Sequence, residues 1–151
     1  MKATIIGTGS YIPEYILTNQ ELSTMVETDD EWIVTRTGIS ERRIQKSGDV
    51  ADMAVNAALK ALDNAGINSE DIDLIIAATS TPDYLFPNCS SIIQKNTGAI
   101  NAVCFDISAA CSGFIMALSA AKAYIEAGMY KKVLIAVSYT HLRAHETAAN
   151  L

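Results

Sequence analysis

The stretch Asp106-Ile107-Ser108-Ala109-Ala110-Cys111-Ser112-Gly113-Phe114 decides how this chain is read. It follows a short apolar run, Ala102 to Ile107, that predicts a strand. It precedes a run from about Ser112 to Ala127, closed by Gly128, that predicts a helix. Cys111 therefore falls at a strand-to-helix junction, and ligands of open α/β sheets bind at the carboxyl ends of strands. A thiol at a helix start faces unpaired amides and the positive end of the macrodipole, both of which favour the thiolate. Small neighbours keep bulk low, and Gly113 allows close backbone approach. The competing reading is a buried packing cysteine. The residues alone favour it, because free cysteine is among the most buried residue types.

Working outward, Leu74 to Thr79 is a continuous apolar run of buried-strand length. Pro82 and Pro87 mark a long loop, and Ser90 to Thr97 has helical character. The strongest helix spans about Asp49 to Ala65, where Met53, Ala54, Ala57, Ala58, Ala61, Leu62 and Ala65 recur at helical spacing before Gly66. Lys132 to Val137 predicts a final strand, and Lys2 to Thr8, closed by Gly7 and Gly9, a first one. A loop containing Pro13 follows that first strand. Thr18-Asn-Gln-Glu21 and Thr28-Asp-Asp-Glu31 both have capping-box spacing and start two short helices, the second carrying Trp32, Ile33 and Arg36. Strands alternating with helices in this order predict an α/β layer fold with a mostly parallel sheet.

Half of the 151 residues are hydrophobic and 19% are charged, a globular rather than a disordered composition. The net charge of −6 argues against general nucleic-acid binding, which draws its affinity from a basic field. No apolar run approaches the ~20 residues that span a bilayer, and the Met-Lys start lacks a signal-peptide core. A cytoplasmic protein is expected. Three cysteines, an odd count without Cys-x-x-Cys, predict neither a disulfide framework nor a cysteine metal site. Cys104 reads as core, and Cys89 as packing at a helix start.

The segment from Glu31 to Arg43 holds the only tryptophan, Trp32, with Arg36, Arg42 and Arg43. An aromatic plane among arginines can stack a base and neutralise phosphates; a surface helix with solvated charges is the plainer alternative. Gly7-Thr8-Gly9 lacks the third glycine of a dinucleotide fingerprint. His141 and His145, with Glu146, lack both the His-Glu-x-x-His order and a third ligand, so no metal is assigned.

Four stretches carry a resemblance: Ile5-Ile-Gly-Thr-Gly-Ser-Tyr-Ile-Pro13, Asp30-Glu-Trp-Ile-Val-Thr-Arg-Thr-Gly-Ile39, Phe86-Pro87 and the Asp106–Phe114 junction. In order and spacing they resemble the β-ketoacyl-acyl-carrier-protein synthase III family, condensing enzymes of the thiolase fold. The resemblance runs from residue 1 to about 137 and implies the amino-terminal half of a thiolase-like α/β fold. It implies that Cys111 takes an acyl group from acyl-CoA as a thioester, which malonyl-acyl-carrier protein attacks after decarboxylation. It further implies that Trp32 stacks on the CoA adenine, with Thr28 and Arg36 at the CoA entrance. Phe86 would be an acyl-pocket residue reaching across a homodimer interface, and the Cys111 amide one oxyanion-hole donor. No permanently bound cofactor is implied, and neither nucleic acid nor membrane is an expected partner.

The family's catalytic histidine and asparagine, and a glycine-rich oxyanion loop, belong to a second half with no counterpart here. Condensation by this polypeptide alone is therefore expected to be near background. The run Ser138-Tyr-Thr-His-Leu-Arg-Ala-His-Glu-Thr resembles translated sequencing-adapter DNA, so residues 138–151 are read as a tail without function. Two further readings stay open. One is another thiolase-fold synthase, of polyketide-starter or hydroxymethylglutaryl-CoA type. The other is a non-catalytic CoA-binding or dimerisation module.

Overall fold

The structure, a computed structural model, describes residues 2–138. These form two compact units, one of residues 12–48 and one of residues 2–11 with 49–138.

In the first unit, β1 (Tyr15–Thr18) leads into a single helical turn, α1 (Asn19–Leu22), then α2 (Asp30–Thr37) and β2 (Glu41–Ile44). β1 and β2 pair antiparallel, Tyr15 opposite Ile44 and Thr18 opposite Glu41. The sequence predicts neither strand: Glu41-Arg42-Arg43 shows no apolar alternation, and the ladder is made by pairing rather than by residue preference. Asn19 ties the unit together. Buried, it donates through Nδ2 to Asp30 Oδ1 and to the Ile39 carbonyl, both at 2.7 Å. Its Oδ1 accepts from Arg42 Nη1 at 2.8 Å.

Thr18 caps α1 as predicted, its hydroxyl accepting the Glu21 amide at 3.1 Å. The Glu21 carboxylate accepts the Tyr15 hydroxyl. The cap of α2 lies one residue later than predicted. Asp29, not Thr28, accepts the Trp32 amide, at 2.7 Å. An aspartate cap followed by Asp30 and Glu31 sets negative charge against the helix dipole, and Arg36 does the reverse in the last turn. Gly38, at φ 73°, ends the helix in the left-handed region that a side chain avoids.

In the second unit, α3 (Val50–Ala65), β3 (Leu74–Ala78), α4 (Cys89–Thr97), β4 (Val103–Ile107), α5 (Gly113–Glu126) and β5 (Val133–Val137) follow in turn. The strands form a parallel sheet in the order β4-β3-β5, with Leu74 level with Val103 on one side and Val133 on the other. The alternation of a strand divides the core. Ile75 and Ala77 pack with Ala54, Ala58, Leu62 and Ile93 of α3 and α4, whereas Leu74, Ile76 and Ala78 pack with Ala117 and Ala121 of α5. Leu74, Ile75 and Ile76 are wholly buried, and each contributes about 2 kcal/mol by leaving water. Six predicted elements thus stand within a residue or two of their expected bounds, and the α/β layer with a parallel sheet is confirmed.

The predicted first strand is not one. Among the described residues, 2–11 enter no ladder; the segment lies along α3 instead. A side chain at Gly9 would come within 2.3 Å of the Ala57 carbonyl oxygen, and one at Gly7 within 2.6 Å of that of Ala61. The Thr8 amide donates to Asn64 Oδ1, and Lys60 Nζ to the Ser10 carbonyl, both at 3.0 Å. Strand preference in Ala3-Thr4-Ile5-Ile6 becomes a strand only by pairing, and among the described residues this segment pairs with none. His141, His145 and all of the tail except Ser138 lie outside the described residues.

Candidate active site

The Asp106–Phe114 junction is a tight turn. β4 ends at Ile107, residues Ala110–Ser112 make one 3-10 turn, and α5 begins at a buried Gly113. Ala110 sits at φ 44°, a left-handed conformation that costs an L-residue roughly 1–2 kcal/mol. Its amide donates to Ser80 Oγ at 3.1 Å. Two residues on, the Ser112 amide and hydroxyl both donate to the Ala109 carbonyl, at 3.0 and 2.7 Å.

Cys111 stands at the crest of this turn and is exposed. The packing reading that the residues alone favour is therefore overturned. Its neighbours Ala110 and Ser112 are exposed with it.

The other two cysteines behave as expected. Cys89 is buried, and its thiol is pushed up to about 12 by that burial, then by the Asp106 and Asp83 carboxylates. Burial first, and Asp106 second, also raise the half-buried Cys104. Neither is a nucleophile near neutral pH.

Two carboxylates missed by sequence reading hold the surroundings of the turn. Asp106, on β4, accepts the Cys89 and Ser90 amides, both at 2.9 Å, and so caps α4. Asp83, in the loop after β3, accepts the Val50 and Ala51 amides at 2.9 and 3.0 Å and caps α3. The signal for Asp106 was a charge inside an apolar strand; Asp83, after Pro82, looked like any turn residue. Phe86, on the same loop, is 90% exposed beside a 96% exposed Leu85.

In the unit of residues 12–48, Thr28, Asp29, Trp32, Ile33 and Arg42 line an open hollow. Trp32 is half exposed, and the Arg36 guanidinium lies over its ring at 4.6 Å from the centroid. Arg42 and Arg43 are committed elsewhere. Arg42 bonds to Asn19, with its Nε and Nη2 buried and unpartnered among the described residues. Arg43 donates to the Pro13 and Glu14 carbonyls. Of the three arginines, only Arg36 presents its charge beside the indole. Thr28, Trp32 and Arg36 thus share one unit, while Cys111 and Phe86 belong to the other. Among the described residues no group of three or more His, Cys, Asp or Glu side chains is placed to hold a metal.

Known proteins match this arrangement. The family model for 3-oxoacyl-[acyl-carrier-protein (ACP)] synthase III matches residues 105–147, from β4 through the Cys111 turn and on past Val137. The chain is 54% identical over 134 residues to the β-ketoacyl-[acyl-carrier-protein] synthase III of Caldanaerobacter subterraneus, covering 88% of this chain and 40% of that protein. With the synthase III of Clostridium acetobutylicum it shares 51% over 131 residues, again 40% of the relative. Among solved structures, the synthase III of Aquifex aeolicus superposes with a TM-score of 0.88 at 48% identity, over 90% of this chain and 44% of that one. The priming β-ketosynthase of the R1128 polyketide pathway gives the same TM-score at 37% identity, over 93% and 43%. The chain thus spans about two fifths of the length of the curated relatives it matches. In sequence and fold, the chain thus matches an amino-terminal portion of 3-oxoacyl-[acyl-carrier-protein] synthase III proteins.

Proposed function

We propose that Cys111 is the acyl-accepting nucleophile of a condensing enzyme that starts fatty-acid chains from acyl-CoA and malonyl-acyl-carrier protein. The observation that carries this reading is an exposed thiol on a left-handed turn, between a parallel strand and the start of α5, within the stretch matched by the family model. A thiolate there attacks the acyl-CoA carbonyl; the new thioester forms as the CoA thiol departs with a proton. The Cys111 amide faces the oxygen on which charge develops. Trp32 stacks on the adenine, and Arg36 and Thr28 contact the rest of CoA. Phe86 lines the acyl pocket across a homodimer interface.

Malonyl decarboxylation requires groups beyond this stretch, so the chain by itself takes an acyl group but does not turn over. A condensation assay beside a complete synthase tests this: product near background is expected, and comparable turnover contradicts it. The likeness to a polyketide priming synthase supports the same first step with a different chain to extend.

A further inference from the structure

The left-handed φ of 44° at Ala110 shapes the turn on which Cys111 stands. A hydrogen bond reaches this residue from outside the turn: the Ala110 amide donates to Ser80 Oγ, at 3.1 Å across thirty residues of sequence. Ser80 is itself well placed to act as an anchor. The preceding Thr79 is buried, its amide donates to the Ile107 carbonyl at 3.1 Å, and its hydroxyl accepts the Thr81 amide at 3.1 Å. The ends of β3 and β4 are thereby locked together immediately before Ser80. Ser80 is exposed, so its hydroxyl is not there to fill the core.

We infer that Ser80 is a positioning residue for Cys111, its hydroxyl holding the left-handed turn at Ala110 that presents the thiol. The inference rests on the acyl-acceptor reading of Cys111 for its meaning, but not for its test. Ser80→Thr keeps the hydroxyl, and Ser80→Val has the same shape without it, so the pair isolates the hydrogen bond from packing.

The experiment follows iodoacetamide alkylation of Cys111 in the whole chain by peptide mass mapping across pH, with circular dichroism to check the fold. Ser80→Val and Ser80→Ala are expected to slow alkylation about three- to tenfold, the factor that one hydrogen bond of ordinary net worth supports. Ser80→Thr is expected to stay within about twofold of the unsubstituted chain, a residue on the scale of ordinary surface substitutions. Equal rates for Ser80→Val and Ser80→Thr overturn the inference. Exposure to acetyl-CoA separates the two claims. A Ser80-dependent alkylation rate with no acetyl uptake removes the acceptor reading and leaves the positioning; acetyl uptake with rates indifferent to Ser80 does the opposite.

Discussion

Asp106 Oδ2 accepts the backbone amide of Cys89 at 2.9 Å, joining the start of α4 to the strand that leads into the Cys111 turn. With the Ser90 amide on the other oxygen, one carboxylate satisfies two donors that the helix cannot. Asp106→Ala leaves both without their partner and is expected to cost about 2–4 kcal/mol, since bonds to charged acceptors are worth more than neutral ones. Urea unfolding measures it; a loss under about 0.5 kcal/mol, the scale of an ordinary surface substitution, contradicts the assignment.

The same carboxylate helps to keep Cys89 protonated. Its thiol is raised from 9.0 to about 12 in the folded chain, so the folded state holds this proton more tightly than the unfolded state. The resulting stabilisation is complete below pH 9.0 and is lost as pH rises toward about 12. Cys89→Ala removes that term. The unfolding midpoint of the unsubstituted chain is expected to fall more steeply above pH 9.0 than that of the variant. Parallel slopes contradict it.

Gly9 presses against α3 with no room for a methyl group, the nearest atoms being the Ala57 oxygen at 2.3 Å and the Ala61 nitrogen at 2.4 Å. Both are backbone atoms and cannot swing aside. Gly9→Ala is expected to lift residues 2–11 off the helix and to cost about 1–3 kcal/mol, the usual range for overpacking. Hydrogen exchange at the Thr8 amide, which donates to Asn64, is the sensitive readout. Unchanged protection there rules out the tight approach.

Trp32 is the only tryptophan, so its fluorescence reports directly on the proposed CoA entrance. CoA is expected to quench it. Trp32→Ala should weaken CoA binding about tenfold or more, as loss of one base-stacking ring does. Arg36→Lys should also weaken binding, because an ammonium cannot replace a planar guanidinium stacked at 4.6 Å from the ring. Binding by calorimetry that is indifferent to both changes removes this unit from the CoA site.

Much of the fold was legible because its periodicities are strong. The alanine-rich face of α3 and the unbroken apolar run of β3 could be little else. What escaped depends on partners distant in sequence. β2 is Glu-Arg-Arg-Ile and becomes a strand only opposite β1, whereas Ala3-Thr4-Ile5-Ile6 has the preference but, among the described residues, no paired partner. At the site, composition pointed to Cys111 but favoured its burial, and the family likeness reversed that order. The deciding feature, φ 44° at Ala110, is a backbone property that alanine gives no hint of. Ser80, Asp83 and Asp106 were invisible as anchors because each acts on an amide seventeen to thirty-three residues away.

The proposed function stands on acceptance of an acyl group by Cys111. Incubation of the chain with isotopically labelled acetyl-CoA, followed by peptide mapping under conditions that preserve thioesters, tests it most directly. Label is expected on the Cys111 peptide, removable by hydroxylamine, absent from Cys89 and Cys104, and abolished by Cys111→Ala. An intact, folded chain that binds CoA but carries no label on Cys111 would contradict it, and would leave a CoA-binding module in place of an acyl acceptor.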